Sequence, residues 1–160
     1  NIDVFVNEGY KAGASGVLTC FWDLSQTGLF SNMWYGAYYG ADKSWNPTSD
    51  NTSFDVRYSA GALACDNTNF ACAVQKLNEL RLLELTDDMK DKFLFERLLP
   101  QKGKRFKVSV ADLDKALIIL DEAEALLKQA NLQLYHKDEA YLQFAIDLYK
   151  HLCSKQQDPA

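Results

Sequence analysis

Trp22, Asp23 and Ser25 are the residues whose types and spacing best fit a binding site. An indole, a carboxylate and a hydroxyl follow one another at the end of the apolar run Val17-Leu18-Thr19-Cys20-Phe21-Trp22. That run is rich in β-branched and aromatic residues and is bounded by Gly16 and Asp23, so it reads as a strand buried on both faces. The polar loop Asp23 to Gly28 comes next, then an aromatic helical segment from Asn32 to Trp45 closed by Pro47. Strand, loop and helix in that order form one β/α unit, and such units build their sites in the loop at the strand's carboxyl end. There the indole offers a flat apolar wall and the carboxylate an acceptor. The competing assignment for Trp22 is a core tryptophan.

Other groups that could do chemistry are less well placed. Asp121-Glu122 and Asp138-Glu139 fall on helical segments, where paired charges ordinarily make a solvated face. His136 and His151 are far in sequence from the loop and from each other, and neither is expected to ligate. Cys20, Cys65, Cys72 and Cys153 lack the paired spacing of a metal site and read as small buried hydrophobes; a Cys65–Cys72 disulfide is the alternative. Asn51-Thr52-Ser53 is a formal glycosylation sequon.

The elements around these residues are mostly helical. Asn1 to Lys11, with Ile2, Val6 and Tyr10 on one face, reads as a helix stopped at Gly13. Ser53 or Asn51 is placed to cap a helix from Phe54 to about Ala64. The turn Asp66 to Asn69 precedes a helix from Phe70 to Leu85 with Val74, Leu77 and Leu80 inward. Thr86-Asp87-Asp88-Met89 resembles a further helix start, and that helix carries Phe93, Leu94, Leu98 and Leu99 as far as Pro100. Gln101 to Lys107 is a basic connector. From Ser109 to Leu134 the longest helix shows Ala116, Leu120, Ala123, Leu127, Ala130 and Leu134 in a ladder of small and large residues, a seam that admits a partner helix closely. His136-Lys137-Asp138 makes a tight connection to a last helix whose seam is Tyr141, Ala145, Leu148 and Leu152, giving an antiparallel hairpin. Ser154 to Ala160 is a polar tail expected to fray.

With 160 residues the chain can bury a sizeable core but is short of the roughly 250 residues of a full (β/α)8 barrel. Seventeen Lys and Arg against twenty-two Asp and Glu give a net charge of -5, which argues against a nucleic-acid partner. No apolar run is long enough to span a membrane.

The order Gly-Val-Leu-Thr-x-x-Trp-Asp, then Asn-x-Trp-Tyr-Gly-x-x-Tyr-Gly-Ala-Asp-x-Ser-Trp-Asn-Pro, resembles the last strand and helix of the catalytic barrel in family-20 glycoside hydrolases, the β-N-acetylhexosaminidases. The likeness is strong over about a fifth of the chain, Gly16 to Pro47. It implies that residues 1–47 close a (β/α)8 barrel and that 48–160 form a C-terminal helical region, the whole piece being mainly α. It implies that Trp22 walls the pocket for a terminal N-acetylhexosamine (GlcNAc or GalNAc) and that Asp23, or its neighbour Ser25, bonds a sugar hydroxyl. It implies retaining, substrate-assisted hydrolysis by an Asp-Glu pair after a middle strand, without a cofactor. No such pair follows a buried strand here, so the chain by itself is expected to be an inactive fragment whose partners are a glycan and the rest of the barrel. A secreted, periplasmic or lysosomal setting goes with the family. The alternatives are a fragment of another (β/α)8 glycosidase, and a free-standing helical protein-interaction module.

Overall fold

The computed structural model describes residues 2–20, 33–83, 86–87, 92–93 and 109–157. Helices dominate: α1 (Ile2–Lys11), α2 (Trp34–Trp45), α3 (Asn51–Ala62), α4 (Asn69–Asn78), a 3-10 turn (Glu79–Leu82), α5 (Val110–Leu127) and α6 (His136–Gln157). The expected mainly-α architecture is present.

α1 ends where the sequence places its stop. Gly13 takes φ +80, and the Ala14 amide bonds back to the Gly9 carbonyl at 2.9 Å, a closure that needs a left-handed residue and so favours glycine. α3 begins earlier than expected. Asp50, not Asn51 or Ser53, caps it: its carboxylate accepts the Ser53 amide at 2.7 Å and the Ser53 hydroxyl at 2.8 Å.

The core is built on α5, which packs between α4 and α6. Leu113, Ala116, Leu120, Ala123 and Leu127 are all buried along one face. Facing them are Phe70, Ala71 and Ala73 of α4 and Leu142, Ile146, Leu152 and Cys153 of α6. Alanines at the crossing points let backbones approach, while the leucines fill the gaps between them. Lys150 reaches Asp121 at 2.6 Å and Glu124 at 2.8 Å, whereas Glu139 accepts the Leu132 amide nearer the loop. Those pairings fix α5 and α6 as the antiparallel hairpin expected from their spacing.

Several expectations need correction. α5 stops at Leu127 instead of Leu134, because Asn69 and Asn67 donate side-chain amides to the Gln129 carbonyl at 3.0 and 3.3 Å and turn the chain there. Leu132 then buries itself in the loop, while Leu134 is exposed. His136 to Asp138 form the first turn of α6, so the connection lies before them, and the buried stripe is Leu142, Ala145, Ile146, Leu152 and Cys153, with Tyr141 left outside. α6 also runs on to Gln157, past the point where fraying was expected. Thr86–Asp87 does not open a helix: it pairs antiparallel with Lys92–Phe93, Thr86 opposite Phe93. The remainder of that expected helix and the basic connector lie outside the described residues.

The segment expected to be a buried strand behaves differently again. Val17 to Cys20 form no strand among the described residues; Leu18 is 86% exposed and Cys20 is exposed rather than buried. A two-faced strand needs sheet neighbours, and the described residues provide none beside it. Thr19 does rest on α2, where a methyl group at Gly40 would lie 3.0 Å from the Thr19 hydroxyl oxygen. Cys65 and Cys72 are free thiols, not a disulfide.

Two measurements check this core. Leu120→Ala, at a fully buried site, should cost about 2–5 kcal/mol in denaturant melts, against about 0.5 kcal/mol or less for Ile118→Ala on the exposed side of the same helix. Hydrogen bonds from Lys150 and then Lys128 hold the Glu124 carboxyl down at about 2 instead of its ordinary 4.5. A depressed folded pKa stabilises above the unfolded value and is lost as pH falls toward the folded one. Glu124→Gln should therefore lower the urea midpoint at neutral pH, with the gap from the unaltered chain closing between pH 4.5 and 2.

Candidate functional site

α2 sets the geometry of the surface features that could bind something, because it carries aromatic residues on two faces. Tyr35 and Tyr39 meet Phe54 of α3, while Tyr38 meets Tyr58 of the same helix and, with Trp34, lines a cleft that reaches the start of α6. Residues one apart on a helix stand about 100° from each other, so the run Trp34-Tyr35 and the run Tyr38-Tyr39 each serve both faces.

On the first face the Phe54 ring is met edge-on by Tyr35 at 5.3 Å and by Tyr39 at 5.0 Å. Tyr35 donates its hydroxyl to Asp55 Oδ1 at 2.7 Å, and Gln75 Nε2 reaches both Asp55 Oδ2 at 2.7 Å and the Tyr35 oxygen at 2.8 Å. Burial, and then the Asp55 carboxylate, push the Tyr35 phenol well above its ordinary range. Asp55 is buried, and these donors satisfy both of its oxygens.

A second polar cluster ties α1 to α2. Lys43 is only 3% exposed; its ammonium sits 2.8 Å from Asp3 Oδ1, donates to the Ser49 carbonyl and lies 5.6 Å from the centre of the Tyr39 ring. Lys43 holds the Asp3 carboxyl below its usual value, with help from a Tyr39 hydrogen bond. Asp42 takes a bidentate grip on Arg57, both oxygens 2.8 Å from Nη2, and also accepts the Ser49 hydroxyl at 2.9 Å.

Between these clusters lies an open cleft of about 610 Å³, lined in part by Asp3, Tyr35, Tyr39, Gln75, Glu79 and Arg81. It offers hydrogen-bonding groups, and among the described residues no nucleophile is set beside a base there. A smaller cleft of about 200 Å³ opens on the second face, walled by Trp34, Tyr38, Tyr58 and Tyr135 with Asp138.

The residues singled out from sequence fare unevenly. Trp22, Asp23 and Ser25 lie outside the described residues. Asp121 and Glu122 are surface groups paired with Lys150 and Lys76, and His136 and His151 are exposed. On the aromatic helix Trp34, Tyr38 and Trp45 are exposed, and Tyr35 and Tyr39 pack against the core. Helical spacing identifies faces but not which face is inward. Gln75 and Asp55 carried no signal: each looks like an ordinary outward polar residue until α2 is placed against it. Among the described residues no three potential metal ligands cluster, and no helix is long and apolar enough to cross a membrane.

Compared with known proteins, the chain matches no family model, no curated protein and no solved structure.

Tyr35→Phe strips one donor from a buried carboxylate and should destabilise the fold by about 1–3 kcal/mol. The phenols of Tyr35, Tyr39 and Tyr58 are all raised by burial, so above pH about 10 only their unfolded forms ionise. A raised folded pKa stabilises below the unfolded value and is lost as pH climbs. Stability should fall with rising pH from that point, and less steeply in Tyr35→Phe, as urea midpoints across an alkaline series will report.

Proposed function

We propose that residues 1–47 are the closing strand, loop and helix of a (β/α)8 glycosidase barrel and that 48–160 are its C-terminal helical region. The complete enzyme removes terminal β-linked N-acetylhexosamine, GlcNAc or GalNAc, by retaining, substrate-assisted hydrolysis. The observation that carries this reading is the ordered pattern from Gly16 to Pro47, in which a Trp-Asp step follows an apolar run and a Trp-Tyr-Gly-x-x-Tyr-Gly-Ala-Asp-x-Ser-Trp helix follows the loop.

Two structural features support it. α2 spans Trp34–Trp45 and breaks at Asn46, as a barrel's last helix with this pattern should, and Thr19, a few residues before the Trp-Asp step, lies close against Gly40 of that helix. Val4, Phe5, Leu18 and Trp45 (the last 93% exposed) all fall in the first 47 residues, an amount of uncovered apolar surface that a barrel wall would bury.

In this reading Trp22 is the wall on which the sugar's C–H face stacks, and Asp23 or Ser25 bonds a ring hydroxyl. Positioning the anomeric carbon is their contribution, since the acid and the acetamido-orienting carboxylate lie elsewhere in the barrel. The mechanism calls for no metal and no organic cofactor.

In the complete enzyme, Trp22→Ala should lower kcat/KM on chromogenic GlcNAc and GalNAc substrates by about two orders of magnitude. Asp23→Asn should cost less and shift the ratio between the two sugars. The 160-residue chain on its own should turn over neither. Near-normal kcat/KM in Trp22→Ala, with the fold checked by thermal melt, would remove the tryptophan from the pocket.

A further inference from the structure

The smaller cleft has a chemistry of its own. Tyr58, almost fully buried, forms its floor; Trp34 and Tyr38 of α2 and Tyr135 just before α6 stand around it, and Asp138 of α6 lines its edge. The rings do not form one flat platform. Trp34 and Tyr38 are inclined by 54° with centroids 6.3 Å apart, and Tyr38 and Tyr58 by 61° at 5.5 Å. Tyr58 is held from behind by Tyr35, edge-on at 5.2 Å, and by Phe54, stacked at 5.8 Å, so the tilted rings make a fixed aromatic corner that suits a compact, rounded group better than a flat sugar face.

The charge in the cleft is of one sign. Asp138 makes no ion pair among the described residues, and burial alone raises its carboxyl pKa. Lys137 and His136, its neighbours in sequence, are exposed and do not line the cleft. An aromatic corner with one unpaired carboxylate at its edge matches a weakly hydrated organic cation.

Backbone geometry adds a separate observation. Tyr135 is held at φ 59, a left-handed conformation that costs a non-glycine residue of its size. Glycine or asparagine would relieve that strain, yet the position carries the ring that closes one side of the cleft.

We propose that this cleft binds the trimethylammonium end of a small soluble cation, with Trp34, Tyr38, Tyr58 and Tyr135 around the methyl groups and Asp138 opposite the charge. The site uses none of Trp22, Asp23 and Ser25, the residues that the glycosidase reading assigns to the sugar.

Choline titrated into the protein, followed by the Trp34 indole resonance in NMR and by calorimetry, tests the site. Saturable binding is expected with a dissociation constant on the order of 1–10 mM. The uncharged isostere of choline, with a tert-butyl group in place of trimethylammonium, should bind about tenfold more weakly. Asp138→Asn should weaken choline several-fold without altering the isostere. Tyr135→Gly, which suits the left-handed backbone and so keeps the fold, should also weaken choline, and Trp34→Ala should abolish the response. Equal affinity for choline and its isostere would mean an apolar cleft with no cation preference and would overturn the proposal. So would an absence of saturation below about 0.1 M, or a choline affinity indifferent to both Asp138→Asn and Tyr135→Gly.

Discussion

A helix covered on two sides has to be narrow where its neighbours cross it. α5 meets that condition with Ala116 and Ala123, both without exposed area, and α4 answers with Ala71 and Ala73. A larger side chain at any of these points would push the backbones apart and leave voids beside Leu113 and Leu120, because cores this dense transmit a misfit instead of absorbing it. The other elements take their places from this contact. The loop after α5 folds back so that the Leu134 amide meets the Leu63 carbonyl at 3.1 Å, and that bond joins the hairpin to the end of α3.

The attachment of α2 depends on two adjacent residues of α3 acting in different ways. Phe54 supplies the apolar contact with Tyr35 and Tyr39, and Asp55 beside it fixes the Tyr35 hydroxyl in a network closed by Gln75. Apolar contact alone would let α2 rotate about its axis. The hydrogen bonds select one rotation, and that choice sends Trp34 and Tyr38 outward. The outer cleft is thus a consequence of the inner polar network.

The helical hairpin is legible in the sequence because its seam repeats at a spacing only a helix satisfies, and because Ala and Leu alternate without interruption from Ala116 to Leu127. Its ends are not legible. Ala130 and Leu134 continue the same rhythm, and the amides that stop the helix belong to Asn67 and Asn69, some sixty residues away in the chain. Thr86-Asp87 misleads for a related reason: a polar residue followed by acids suits a helix start, but pairing with Lys92–Phe93 wins over local preference. The aromatic helix shows its type and limits in sequence, while the assignment of its faces depends on Asp55 and Gln75. Tyr135 and Asp138 give no periodic signal, since one lies in a turn and the other in a first helical turn.

Cys153 sits in the α5–α6 core with no exposed area, and burial pushes its thiol up to about 11, whereas Cys20 is open to solvent. A thiol kept protonated and covered reacts with an electrophile only when its surroundings part. The hairpin therefore contains its own clock: the rate at which Cys153 becomes alkylated, relative to Cys20, counts how often the two helices separate.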